Sequence, residues 1–200
     1  MDHITTTSVV NFGVSARYGA VETLLDVVWD LAIRPLLPEI HYADRLVFRV
    51  PASLIRLPLT TARSAESGQS LVHLTEPLLS WPGEVRGDGD GTEQLLRIDG
   101  HFRQVAAQVA NLTLDAGTTV LLMGCRTAAL IPLLAQSGAS RAIVTSWDVE
   151  DRHCAPFGDE VEGRIRDGLS AGAALRSVQA LRSCDHPYEW AGYSLVEFSR

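Results

Sequence analysis

Cys125 is the side chain of this 200-residue chain best placed to act as a nucleophile. It follows a short β-branched, apolar run over 118–123, T-T-V-L-L-M. The turn G-C-R-T then opens an apolar, helix-like segment over 128–136, which Ser137-Gly138 ends. A second apolar run covers 141–147. Strand, turn, helix, strand is a βαβ unit, and near-continuous apolar strands fit a parallel sheet covered on both faces. The unit places Cys125 at the carboxyl end of a strand, where open α/β sheets carry their chemistry. A thiol there, at the start of a helix, feels the helix dipole, which favours thiolate. Backbone N–H groups near Gly124 can form an oxyanion hole. The competing reading is an inert cysteine buried in a turn.

A thiol nucleophile needs a base. His73 lies in S-L-V-H-L-T, a strand expected over 70–75. His101 follows Asp99-Gly100 and reads as an exposed turn residue, and His153 sits in the loop after the second strand, near the edge of the site. Each is more easily read as structural or surface than as catalytic. The Cys and His residues show no close paired spacing, so neither a metal nor a cofactor is expected. G-D-G-D-G over 87–91 lacks the spaced oxygen ligands of a calcium loop. Asp148, Glu150 and Asp151 form an acidic cluster after the second strand. A carboxylate in a cleft selects Arg or Lys, although a solvated loop or helix cap has the same composition. Arg126, beside the cysteine, can pair with this cluster. Trp29, Trp147 and Trp190 are expected in the core. Trp81, in a variable loop, is a partner anchor if exposed. Cys154 and Cys184 read as packing residues.

These residues need a scaffold, and the composition supplies one. At 46% hydrophobic, the chain can bury a proper core as a single unit over 1–200. No apolar run is long enough to span a bilayer, and residues 1–7 do not read as a signal peptide. Three widely spaced cysteines argue against a disulfide framework and for a reducing, cytoplasmic setting. The net charge of -7 argues against broad nucleic-acid binding. All the basic residues are arginine, which we take as coding bias.

Along the chain, residues 5–10 read as a short edge strand and 11–19 as a loop. Apolar residues at Val21, Leu24, Leu25, Val28, Leu31 and Ala32 predict a helix over 21–37 that Pro35 and Pro38 bend or end. A strand over 45–50 and a second extended piece complete an amino-terminal portion, 1–62. A polar linker over 60–69 leads to a catalytic-type core, 70–200. There, 76–93 reads as a flexible loop, 94–98 as a hairpin strand, and 103–111, 157–169 and 171–182 as helices. The end, 189–198, shows β-type alternation.

Four motifs in register carry a family resemblance. They are L-L-M-G-C-R-T-A, S-G-A-S-R-A-I-V-T-S-W-D-V-E-D, A-A-L-R-S-V-Q-A-L-R and P-Y-E-W-A-G-Y-S-L. Upstream, Q-L-L-R-I-D-G-H-F, W-D-L-A-I-R-P-L-L and R-L-V-F-R-V-P-A-S-L-I-R-L-P-L extend it. Together they resemble the CHAT domains, caspase-like cysteine peptidase relatives of the separase group, over about three quarters of the chain. The resemblance implies an α/β fold: a caspase-like, mostly parallel sheet with helices on both faces. It also implies peptide-bond cleavage by a Cys–His pair.

The cysteine of the family's A-C-x-T motif matches Cys125. In the family's H-x-x-x-H-G motif the first histidine supports and the second is catalytic. Here the stretch reads H-L-T-E-P-L: His73 matches the first histidine, and Pro77 occupies the catalytic position. Proline neither takes nor gives a proton. His73 lies four residues upstream, roughly 13 Å along a strand. By the same resemblance, Asp151, with Asp148, lines a pocket for a basic side chain. Only about a dozen residues separate the L-P-L motif at Leu57 from His73, fewer than CHAT domains carry. The sheet is therefore expected to be shortened in its amino-terminal part, unless another chain supplies the missing strand.

Three functions follow from the resemblance. The chain is an active endopeptidase cutting after a basic residue, a pseudopeptidase that binds protein or peptide, or half of a complex. Such domains act beside sensor or repeat modules in bacterial signalling and defence, so the expected partner is a separate sensor or repeat protein. Neither nucleic acid nor membrane is expected as a partner.

Overall fold

The structure, a computed structural model, describes residues 5–50, 54, 57–82 and 94–199, with side chains from residue 17 onward in the first helix. The stretches P-A-S-L-I-R and G-D-G-D-G therefore fall almost wholly outside the described residues. Strands β1 (Arg45–Arg49), β2 (Glu76–Pro82), β3 (Gln94–Asp99), β4 (Thr118–Met123), β5 (Arg141–Thr145) and β6 (Tyr193–Ser199) form one sheet in the order β1-β2-β6-β5-β4-β3. All neighbours are parallel except β5 and β6. The sheet thus has two halves, β1, β2 and β6 running one way and β5, β4 and β3 the other.

The period of two along each strand divides the core cleanly. Val120, Leu122, Ala142, Val144, Val196 and Phe198 face one cluster. Helices α4 (Phe102–Ala110) and α5 (Ile131–Ser137) cover that cluster through Val105, Val109, Ile131 and Leu134. Leu121, Met123, Ile143, Tyr193 and Leu195 face the other, under α6 (Asp151–Arg166) and α7 (Ala171–Leu181). Phe157 of α6 stacks on Tyr193 with ring centroids 3.9 Å apart. This is the expected mostly parallel α/β sheet with helices on both faces.

Several local expectations are corrected. Residues 5–19 are neither strand nor loop but part of α1 (Thr5–Val28). A β-branched residue costs a helix only about half a kcal/mol, and the segment runs straight into the stretch that buries Val21, Leu25 and Val28. The helix then widens into a π turn over Trp29–Ile33 and tightens into a 3₁₀ turn over Arg34–Leu36 before α2 (Leu37–Ile40). Pro35 would set its ring against the Leu31 carbonyl in a regular helix, and the altered turn avoids this.

The strand expected over 70–75 is a single helical turn, α3 (Leu71–Leu74), with β2 starting after it. Leu71 and Val72 enter opposite core clusters, and the Val72 carbonyl accepts from Arg176 Nε at 2.7 Å rather than from a ladder. The first half of the expected loop over 76–93 is β2 itself. Pro77 is tolerated there because it lies ahead of the β2–β6 ladder, which begins at Leu79. The segment 94–98 is not a hairpin strand: β3 is a parallel edge strand, joined to β4 through α4. Cys184 is exposed rather than packed.

Candidate functional site

Cys125 stands two residues beyond β4, between the last strand residue and a 3₁₀ turn over Thr127–Leu130. What holds the turn is a clamp between two threonines. Thr127 N–H donates to Thr145 Oγ1 at 3.1 Å, and Thr145 N–H donates to Thr127 Oγ1 at 2.8 Å. The Thr145 hydroxyl also donates to the Gly124 carbonyl. The ends of β4 and β5 are thereby tied together by buried polar bonds.

Arg126 adopts the left-handed conformation, with φ 56° and ψ 29°. It is the only non-glycine residue with positive φ among the described residues. Its N–H donates to the Trp147 carbonyl at 3.1 Å, and its guanidinium pairs with Asp148 at 2.5 Å. The amides of Arg126 and Thr127 are thus already committed, so an oxyanion at Cys125 would compete with Trp147 and Thr145 for them.

The thiol itself is partly buried and donates to the Val149 carbonyl at 3.4 Å. Burial pushes it up from the ordinary thiol range, and the carboxylates of Asp148 and Asp151 add to the rise, outweighing an opposing effect of the Val149 backbone. This reverses the expectation of a dipole-favoured thiolate. The helix that follows is set off by a 3₁₀ turn, and the charges that act on the thiol are the carboxylates of Asp148 and Asp151.

Cys125 lines a cleft of about 470 Å³ with Phe102, Arg126, Ala129 and Asp148. Asp151, in the first turn of α6, opens instead into a neighbouring cleft of about 270 Å³ with Asp99, His101 and Cys154. Glu150 turns away to pair with Arg152 at 2.6 Å. The acidic cluster read from sequence is therefore divided among three environments. Gly124 is where a close approach demands glycine: a Cβ there would lie 2.5 Å from the Gly100 carbonyl oxygen.

His73 is exposed on α3, and β6 and β5 stand between β2 and the cysteine strand β4. That is three interstrand steps, about 14 Å across the sheet. The structure does not bring it to Cys125. Pro77 is buried within β2, paired with Leu46.

The histidine brought nearest by register is His101. Asp99 pairs with Met123, so His101 and Cys125 each stand two residues past a paired position. His101 caps α4 and faces the Asp151 cleft, and it makes no hydrogen bond to the thiol. His101 is the exposed residue ahead of a helix that the sequence suggests, but its place beside the cysteine strand, with Phe102, was not legible, because nothing local marks L-L-R-I-D-G-H as parallel to that strand. His153 pairs with Glu189 at 3.4 Å, on the α6 face toward the short helix α8 (Pro187–Trp190).

A groove of about 730 Å³ lies at the other end of the sheet, between Trp81 and the ends of α4 and α5, away from this chemistry. Among the described residues no three His, Cys, Asp or Glu side chains are grouped to hold a metal. No helix among them is long and apolar enough to cross a membrane.

A family profile for the CHAT domain matches residues 88–197, more than half of the chain. The chain belongs to the CHAT-domain family. The match spans β3 to β6 and so contains the cysteine turn, both clefts and the antiparallel last strand. CHAT membership marks this as a caspase-like, peptidase-related domain. A comparison with curated proteins finds no match. The structure supplies physical reasons for the motif residues. The threonine of A-C-x-T, Thr127, is half of the β4–β5 clamp. Trp147 donates from Nε1 to the Tyr188 carbonyl at 3.1 Å, and Gly192 leaves room for its ring. Trp190 is fully buried.

Proposed function

We propose that this CHAT domain binds protein or peptide without cleaving it unaided, and that it acts with a separate sensor or repeat protein in bacterial signalling or defence. The observation that carries this reading is the state of Cys125. Its thiol is held toward the neutral form by burial and by Asp148 and Asp151. No imidazole is hydrogen-bonded to it among the described residues. A thiol so placed is a poor nucleophile, because the thiolate attacks. The cleft beside it still offers Phe102 and Ala129 as apolar contacts and the Arg126–Asp148 pair as a polar one. Such a mixed surface suits an extended peptide. Cleavage after a basic residue would require a base that the described residues do not set against the thiol.

Intact-mass labelling with iodoacetamide from pH 5 to 10, beside Cys125→Ala and Asp148→Asn, tests the reading. Labelling of Cys125 should rise only near or above the ordinary thiol pKa of about 8.5. Asp148→Asn should bring it to lower pH. Peptides carrying Arg or Lys should remain intact. Rapid labelling well below pH 8, or cleavage that Cys125→Ala abolishes, would overturn it.

A further inference from the structure

Three consecutive residues after β5 hold the cysteine turn. The Trp147 carbonyl accepts the Arg126 amide at 3.1 Å, Asp148 pairs with the Arg126 guanidinium, and the Val149 carbonyl accepts the Cys125 thiol at 3.4 Å. What holds Trp147 therefore holds the thiol's surroundings.

Trp147 stacks on Tyr188 of α8, with ring centroids 6.4 Å apart and planes 20° apart. Its indole N–H donates to the Tyr188 carbonyl. A Cβ at Gly192 would lie 2.9 Å from the indole, so the ring has little freedom there. Tyr188 in turn stacks on Tyr18 of α1, at 4.9 Å and 30°. Tyr18 also lies against His186, at 4.1 Å. Around this contact, Arg17 reaches the Tyr188 hydroxyl, and Glu22 faces His186 Nε2 at 3.3 Å. His186 Nδ1 accepts the Tyr188 amide at 3.2 Å.

The grip on α1 is uneven along its length. Leu25 and Val28, with Trp29 just past its end, are 1–6% exposed and anchor its carboxyl half in both core clusters. Around Tyr18 the contacts lie nearer solvent: Tyr188 is buried, but Tyr18 and His186 are only partly so and Glu22 faces His186 from the surface, a grip of the kind that opens first. Gly19 stands between these two parts. A Cβ there would meet nothing within 4 Å, so no packing demands glycine. Glycine inside a helix costs backbone entropy relative to alanine, which weakens the helix at this point.

We propose that α1 sets the exposure of Cys125 through an aromatic relay, Tyr18–Tyr188–Trp147, with Gly19 as the hinge. With Tyr18 seated, Trp147 and the residues after it stay on the cysteine turn and the thiol stays covered. When the amino-terminal part of α1 swings out, Tyr188 and Trp147 lose their backing and the turn loosens. A partner that grasps α1 can thereby act on the thiol without touching it. The bistable element is the seated or unseated ring of Tyr18. The relay concerns how the thiol is covered, and it holds whether Cys125 binds or cleaves.

The test is the iodoacetamide labelling rate of Cys125 at fixed pH in the full chain. Tyr18→Ala should speed labelling about five- to tenfold, the scale of losing stacked aromatic contacts. Tyr18→Phe keeps the ring and should label like the parent, and Gly19→Ala should label more slowly. Val109→Ala, in the opposite core cluster, is the control for general destabilisation. A Tyr18→Ala rate within twofold of the parent in a folded protein overturns the relay. An equal acceleration in Val109→Ala overturns it too. Neither result bears on the function proposed above, which fails instead on the pH at which Cys125 labels or on peptide cleavage.

Discussion

Gly124→Ala restores the alanine that the A-C-x-T pattern carries, yet it should destabilise this protein. The added Cβ would lie 2.5 Å from the Gly100 carbonyl oxygen. A carbon–oxygen contact normally sits at about 3.3–3.6 Å, so the two backbones must part by about 0.8–1.1 Å. Neither is free to move. The Gly124 carbonyl is held by the Thr145 hydroxyl, and the Gly100 amide donates to the Met123 carbonyl at 3.2 Å. Forcing a methyl into a well-packed site costs about 1–3 kcal/mol. At about 2–4 °C per kcal/mol for a chain of this size, the melting temperature should fall by about 2–12 °C. Gly19→Ala is the internal control. The same chemical change in open space should raise stability by about 0.5–1 kcal/mol. Thermal melts by circular dichroism, with urea midpoints as a second measure, decide the matter. If Gly124→Ala melts within about 1 °C of the parent, the close approach of Gly100 is not what requires glycine, and the reasoning is refuted.

Thr145→Val should cost about 1–3 kcal/mol, because the buried Thr127 amide loses its acceptor; an unchanged urea midpoint would show the clamp to be dispensable. Stability should also fall at alkaline pH. Burial raises the thiols of Cys125 and Cys154 in the folded chain, so the unfolded chain gives up these protons first. Their contribution is full below the unfolded thiol value of about 8.5 and is lost as pH rises through the folded values. With no lysine in the chain, few other groups titrate in this window. Denaturation midpoints at pH 7.5 and 9.5 should differ less in a Cys125→Ala/Cys154→Ala variant than in the parent, and an equal drop in both would assign the pH effect elsewhere.

Much of the carboxyl-terminal half was legible because its signals are local. The alternation in T-T-V-L-L-M and A-I-V-T and the period of A-A-L-R-S-V-Q-A-L need only neighbouring residues to be read. α7 and β4 run where the periodicity puts them. The amino-terminal half was less so. Residues 70–75 look like a strand by composition, but Leu71 and Val72 gain more by entering two different clusters than by extending a ladder. The site was legible only as a list of residue types. Cys125, Asp148 and Gly124 do meet at one turn, whereas Asp151 opens into the next cleft and His73 stands three strands away.

The βαβ unit, the strand-end position of Cys125 and the family could be read from the residues alone. These follow from the side-chain period of each segment and from motif residues close together in the chain. That β1 and β2 lie beyond β6, and that His101 rather than His73 neighbours the cysteine strand, emerges only from the packing. The packing also supplies the burial and the carboxylates that push the thiol up from its ordinary range. Strand order is set by which distant apolar faces cover each other best. The charge state of a thiol is set by whatever groups that packing leaves beside it. Neither quantity is encoded in any one stretch of the chain.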